Sequence, residues 1–207
     1  MKNLAFVSLI IVLLFGTSCA SSIKSGCGQS ETVRLSRSDI PPMLSVTDSL
    51  QKFDIEISFM GKSLNGMFLI KKQANGTARM LINSYFGMSI MDFELSADTF
   101  VVHYMLEAMN KPAIVNLFKN DFRLLFGYNI PSKFVATKSD CKVAEKLIIT
   151  KIDGKKYTYR INIENSAILE IKAPGINTKI LSDTFPRTIN LRHSGIFTPR
   201  IVIKEME

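Results

Sequence analysis

The sequence predicts a mainly β fold: an incomplete antiparallel barrel of about eleven short strands, covered by one or more helices. Three observations carry this. Apolar and polar residues alternate with period two through most of residues 46–207, turn residues separate the alternating runs, and one central stretch switches to a spacing of three and four. Composition agrees, because 46% of the 207 residues are hydrophobic and 21% charged, with only 11 Gly and 7 Pro, which excludes a disordered or fibrous chain.

The first strand is Phe53, Ile55, Ile57 and Phe59 alternating with Asp54, Glu56 and Ser58. A turn over 61–66 leads to a strand over 67–72, apolar on both faces. Asn75-Gly76 is a hairpin signal, since a type I′ turn needs positive φ at both central positions. Strands follow at 77–83, 88–96 and 99–105. The rhythm then breaks. Pro112 suits the first turn of a helix, and Ile114, Leu117, Phe118, Phe122 and Leu125 recur at helical spacing before Gly127. Beyond Cys141 the strands resume at 145–152, 156–163, 167–173, 176–182, 187–193 and 199–206, punctuated by Asp153-Gly154, Pro174-Gly175, Pro186 and Pro199. Sequential hairpins imply a meander, and an open meander of this size leaves long edges, so the sheet is expected to curl until it closes or nearly closes.

A curled sheet has an interior. The candidate lining is Phe53, Ile55, Ile57, Phe59, Met67, Leu69, Phe93, Leu95, Phe100 and Val102, joined by Ile114, Leu117, Phe118, Phe122 and Leu125 of the helix. None is charged, so a pocket lined this way accepts acyl chains. The same alternation also describes a filled core.

Residues 1–18 read as a signal peptide: Lys2, then an apolar run from Leu4 to Phe15, then small residues. As helix the run spans about 18 Å, short of a bilayer core of about 30 Å. Gly16, Thr17 and Ser18 lead directly to Cys19, and the segment resembles the lipobox of bacterial lipoproteins, in the looser form seen in Bacteroidetes lipoproteins. The resemblance implies that Cys19 is acylated and moors the protein to a membrane, while an ordinary cleaved signal with a coincident cysteine is the alternative. Ala20 rather than Asp follows the cysteine, and 21–30 lack an acidic cluster, which by the same resemblance favours the periplasmic face of the outer membrane. Residues 19–45, rich in Ser, Gly and charged side chains with Pro41-Pro42, read as a flexible tether ahead of a single domain over 46–207. Cys27 and Cys141 pair in an oxidising compartment or remain separate thiols; spacing alone leaves both open.

Several function classes fall away. The net charge of +8 is spread along the chain without a dense Lys/Arg run, so no nucleic-acid partner is expected. Three Cys with His103 and His193 do not make a zinc pattern. No nucleophile elbow, phosphate loop or zincin helix occurs, and Asp92 with Glu94 on one strand face reads as solvated polarity, so no catalytic residue, metal or cofactor is expected.

The stretch 66–104, with a strand, the Asn75-Gly76 hairpin, the Arg79 strand, the loop Ser84-Tyr85-Phe86-Gly87 and a further alternating strand, is similar to LolB-like outer-membrane lipoprotein receptors. A central helix and the Phe185-Pro186 start of a C-terminal strand pair agree with it. The resemblance implies an incomplete eleven-stranded barrel covered by helices. It also implies a monomeric receptor that takes the acyl chains of lipoproteins from a periplasmic carrier into an apolar cavity and delivers them to the outer membrane, with Tyr85 and Phe86 as the membrane-docking loop. The rival expectation is a structural or interaction subunit of an envelope complex, with the same fold and no lipid cargo.

Overall fold

Thirteen strands pair into one antiparallel sheet in the computed structural model, which describes residues 27–59, 61–141, 144–182, 187–194 and 199–206. They are β1 (Cys27–Ser36), β2 (Gln51–Phe59), β3 (Lys62–Lys72), β4 (Ala78–Ser84), β5 (Ser89–Leu95), β6 (Phe100–Met105), β7 (Lys133–Cys141), β8 (Glu145–Ile152), β9 (Lys155–Asn162), β10 (Ile168–Ala173), β11 (Ile176–Ser182), β12 (Thr188–His193) and β13 (Arg200–Glu205). One helix, α1 (Pro112–Leu125), lies between β6 and β7. The sheet order is β1-β7-β8-β9-β10-β11-β12-β13-β2-β3-β4-β5-β6, so β1 and β6 are its two edges and the sheet is not closed.

The two strands beyond the expected eleven are β1 and β7. β1 lies inside the stretch expected to be a tether, and it is mostly exposed and polar because an edge strand needs a backbone partner more than an apolar face. β7 supplies that partner from Ser36↔Lys133 to Cys27↔Cys141, where the two cysteines form a disulfide. Residues 37–45 of the supposed tether are also packed against the body. A single 3-10 turn (Arg37–Asp39) leads into Ile40, Met43 and Leu44, all buried in the core, and the amides of Met43 and Leu44 both donate to the Leu125 carbonyl at the end of α1 (2.9 and 3.0 Å). Pro41-Pro42 hides this apolar triplet from a periodicity reading.

The helix begins with Pro112 at its first turn and ends in a Schellman motif. Tyr128 N–H donates to Arg123 C=O (2.8 Å) and Gly127 N–H to Leu124 C=O (3.2 Å), with Gly127 at φ +69°, where a side chain would be strained. Its buried face meets the sheet through aromatic rings: Phe122 lies 5.3 Å from Phe68 and 6.0 Å from Phe93, and Phe118 lies 6.1 Å from Phe93. Gly66 of β3 is required by close approach, since a Cβ there would sit 2.0 Å from the Asn83 carbonyl oxygen, beside a register shift between β4 and β5.

Antiparallel pairing sorts the connections into two ends. The paired ends Phe59 and Lys62 of β2 and β3 and the turns at 85–88, 106–111, 153–154 and 174–175 share one end with the start of α1; the Cys27–Cys141 disulfide and the turns at 73–77, 96–99 and 163–167 share the other.

Candidate functional site

The inner face of the sheet, the one α1 covers, is where an acyl pocket was expected. Phe53, Ile55, Ile57, Phe93, Leu95, Phe118, Phe122 and Leu125 are all buried there, and Phe100, Val102, Ile114 and Leu117 pack half-buried against the same cluster. Met67 and Leu69 are a correction: they are only half-buried, on the opposite face, while Phe68 and Ile70 point inward. The alternation of 67–72 allowed either face, and the pairing Phe53↔Phe68 decides it because directly opposed residues share a side.

These side chains fill the space they were expected to line. An aromatic chain runs from Phe53 through Phe68, Phe122 and Phe126 to Tyr128, with neighbouring rings 5.3–6.3 Å apart. An apolar crevice of about 120 Å³ lies between the first half of α1 and the ends of β2 and β13, lined by Ile57, Phe59, Met109, Ile114, Leu117, Phe118 and Ile201 among others. Small-molecule pockets begin at about 300 Å³, so this crevice is a mouth rather than a chamber. Two larger hollows, of about 690 and 570 Å³, are open grooves along β1, β7 and β8 around Phe134 and Val135, away from the helix crevice.

The crevice shares its end of the sheet with the β4–β5 turn. Phe86 at that turn is 99% exposed and Met88 57%. Tyr85 behaves differently: its hydroxyl donates to Asp54 Oδ1 (2.7 Å), so the side chain lies back toward β2, and that bond, with partial burial, pushes its pKa up to about 12. Residues 1–26, including Cys19, and Phe185-Pro186 lie outside the described residues.

Beside the crevice, His193 at the end of β12 joins three elements. One ring nitrogen, Nδ1, lies 2.9 Å from the Pro199 carbonyl oxygen, and Nε2 lies 2.9 Å from Asp121 Oδ1 of α1. A carbonyl only accepts, so Nδ1 carries a proton, and the second bond needs another proton from either imidazolium or carboxylic acid. Burial raises the Asp121 pKa against the opposing pull of His193; burial lowers that of His193, but the bond to Asp121, its charge and the Pro199 carbonyl outweigh it and the net direction is up. Nothing in the sequence pattern links His193 to a residue 72 positions away.

No family model, curated protein or solved structure matches the chain.

On the outer face, Arg79 bridges Asp92 through two nitrogens (Nε–Oδ1 2.6 Å, Nη2–Oδ2 2.7 Å) and approaches Glu94. Thr77, Asn75 and His103 donate to or contact Glu94, and these bonds, Thr77 foremost, hold its pKa down to about 2. The carboxylate pair noted in the sequence is therefore part of a cross-strand polar network. Among the described residues no group of His, Cys, Asp and Glu is arranged to hold a metal ion, and no helix is long and apolar enough to cross a membrane.

Proposed function

We propose that the protein is a LolB-like lipid-handling lipoprotein, moored by an acylated Cys19 at the periplasmic face of the outer membrane. It admits an acyl chain of a lipoprotein beneath α1 and passes it to the membrane. The sheet is read here as an incomplete barrel with α1 as its cover. The observation that carries the reading is the apolar crevice under the first half of α1, opening at the end of the sheet that also presents Phe86. Because the crevice holds about 120 Å³, admission requires α1 to move outward, with Leu117 and Phe118 giving up their contacts to the incoming chain. Burial of Phe86 in lipid contributes about 1.5–3 kcal/mol, enough to bias docking and too little to hold the body there alone.

Transfer from an acylated lipoprotein–carrier complex to the purified protein, followed by delivery to vesicles, tests the reading. Transfer that proceeds in the wild type and fails to reach vesicles in Phe86→Glu supports it; a protein that accepts no acylated client ends it. The close-packed aromatic interior favours a second reading, an envelope interaction subunit with a filled core. A stable protein partner on co-purification, with no bound lipid, is its signature.

A further inference from the structure

The second half of α1 borders a different kind of space. A partly enclosed polar cleft of about 300 Å³ lies between that half of the helix, Asn129, the β8–β9 turn and the β10–β11 turn. Two of its lining residues carry a buried oxygen with no hydrogen-bond partner among the described residues: Oδ2 of Asp121 and Oδ1 of Asn129. The other polar atom of each is already committed. Asp121 Oδ1 shares a proton with His193 Nε2, and Asn129 Nδ2 donates to the Tyr159 hydroxyl (3.1 Å). Asp121 is 2% exposed, so bulk water does not satisfy the spare oxygen. Both residues line the cleft, and two spare acceptors lying just behind its wall call for a guest that donates hydrogen bonds. The cleft also carries cations: Lys155 is exposed, and Arg123 is half-buried with one guanidinium nitrogen on the Tyr128 carbonyl, against the single further acid Asp153.

We propose that this cleft binds a small zwitterion of the phosphoethanolamine class, its primary ammonium donating to Asp121 Oδ2 and Asn129 Oδ1 and its phosphate held by Arg123 and Lys155. Placement on α1 extends the lipid-handling reading, on which the biological sense of the site rests. Leu117 and Phe118 line the apolar crevice, Asn120, Asp121 and Leu124 line the polar cleft, and the His193 ring joins Asp121 of the cleft to Pro199 of the crevice. An amphiphile with an ethanolamine phosphate head finds matching chemistry for head and tail along one helix.

Calorimetric titration of the purified protein with O-phosphoethanolamine, phosphocholine and inorganic phosphate tests the site without an acyl chain. Phosphocholine keeps both charges and lacks the N–H donors, so phosphoethanolamine is expected to bind at least tenfold tighter than either control. Lys155→Gln should weaken it severalfold with an unchanged melting temperature, and Asn129→Leu should weaken it as much while lowering the melting temperature modestly, because it also takes a donor from the buried Tyr159 hydroxyl. Asp121→Asn should do the same, but it also alters the His193 contact, so the other two variants decide. Equal affinity for phosphoethanolamine and phosphocholine, no binding of either, or binding indifferent to Asn129 and Lys155 overturns the proposal. Vesicles of phosphatidylcholine with and without phosphatidylethanolamine then separate the two sources: selective retention on the second composition assigns a lipid head, and binding of the free compound alone assigns a soluble one. A protein that binds phosphoethanolamine and accepts no acyl chain refutes the receptor reading and leaves the site standing.

Discussion

Removing the Cys27–Cys141 bridge by the double change Cys27→Ser, Cys141→Ser should lower stability by a calculable amount. The two residues face each other across β1 and β7 and close a loop of 114 residues. The loop-closure relation gives about 16 cal/mol/K of entropy withheld from the unfolded chain, or about 4.8 kcal/mol at 25 °C. Residual compactness of the unfolded chain trims this, and measured bridges cluster at about 2–4 kcal/mol. Against a total stability of about 5–15 kcal/mol the effect is a large share. Urea unfolding of oxidised wild type, reduced wild type and the double variant reads it directly: with a slope of about 2 kcal/mol/M, a loss of 2–4 kcal/mol moves the midpoint down by about 1–2 M. The reduced wild type and the variant should coincide. Coincident midpoints for oxidised and reduced wild type, or two alkylatable thiols in protein taken from an oxidising compartment, would refute the reasoning.

Four further outcomes follow from particular contacts. Phe122→Ala, which removes the ring packed against Phe68, Phe93, Phe118 and Phe126, should cost about 3–5 kcal/mol in urea unfolding, whereas Phe86→Ala at the exposed turn should stay within about 0.5 kcal/mol. Gly66→Ala should destabilise by about 1–3 kcal/mol, since the Asn83 carbonyl occupies the place of the new methyl group. Glu94 has a depressed pKa, so its stabilisation is present above the ordinary value of 4.5 and is lost as pH falls toward about 2; Glu94→Gln should flatten the acid limb of a melting-temperature profile. His193 and Asp121 are both raised, so the folded state holds more protons than the unfolded chain. Stability contributed by His193 is complete below 6.5 and is lost as pH rises through the higher folded value, a decline that His193→Gln should abolish.

Most strands were legible because a half-buried strand writes its face into the sequence, as Phe53, Ile55 and Ile57 do in β2. The helix was legible for the same reason, with Pro112 and Gly127 marking its ends. β1 was not, because an edge strand of Ser, Glu, Thr and Arg is specified by its partner's backbone and by the bridge at Cys27, neither of which leaves a periodic trace. Ile40, Met43 and Leu44 were masked by the prolines between them. At the site, residue type foretold burial without telling inside from outside at Met67 and Leu69, and without telling a hollow from a filled interior. Spacing says where a side chain points; volume depends on how α1 seats its aromatic rings against strands distant in sequence. The Asp121–His193 contact lies beyond pattern reading altogether, since it joins a helix to the end of a late strand.

The most direct test of the account is native mass spectrometry of the full-length protein released gently from membranes, alongside a Leu117→Trp variant that fills the crevice under α1. The account predicts a covalent acyl mass at Cys19 together with a non-covalent lipid that the variant loses while keeping its fold. A wild-type spectrum that carries the anchor and no guest, identical to that of the variant, would contradict it.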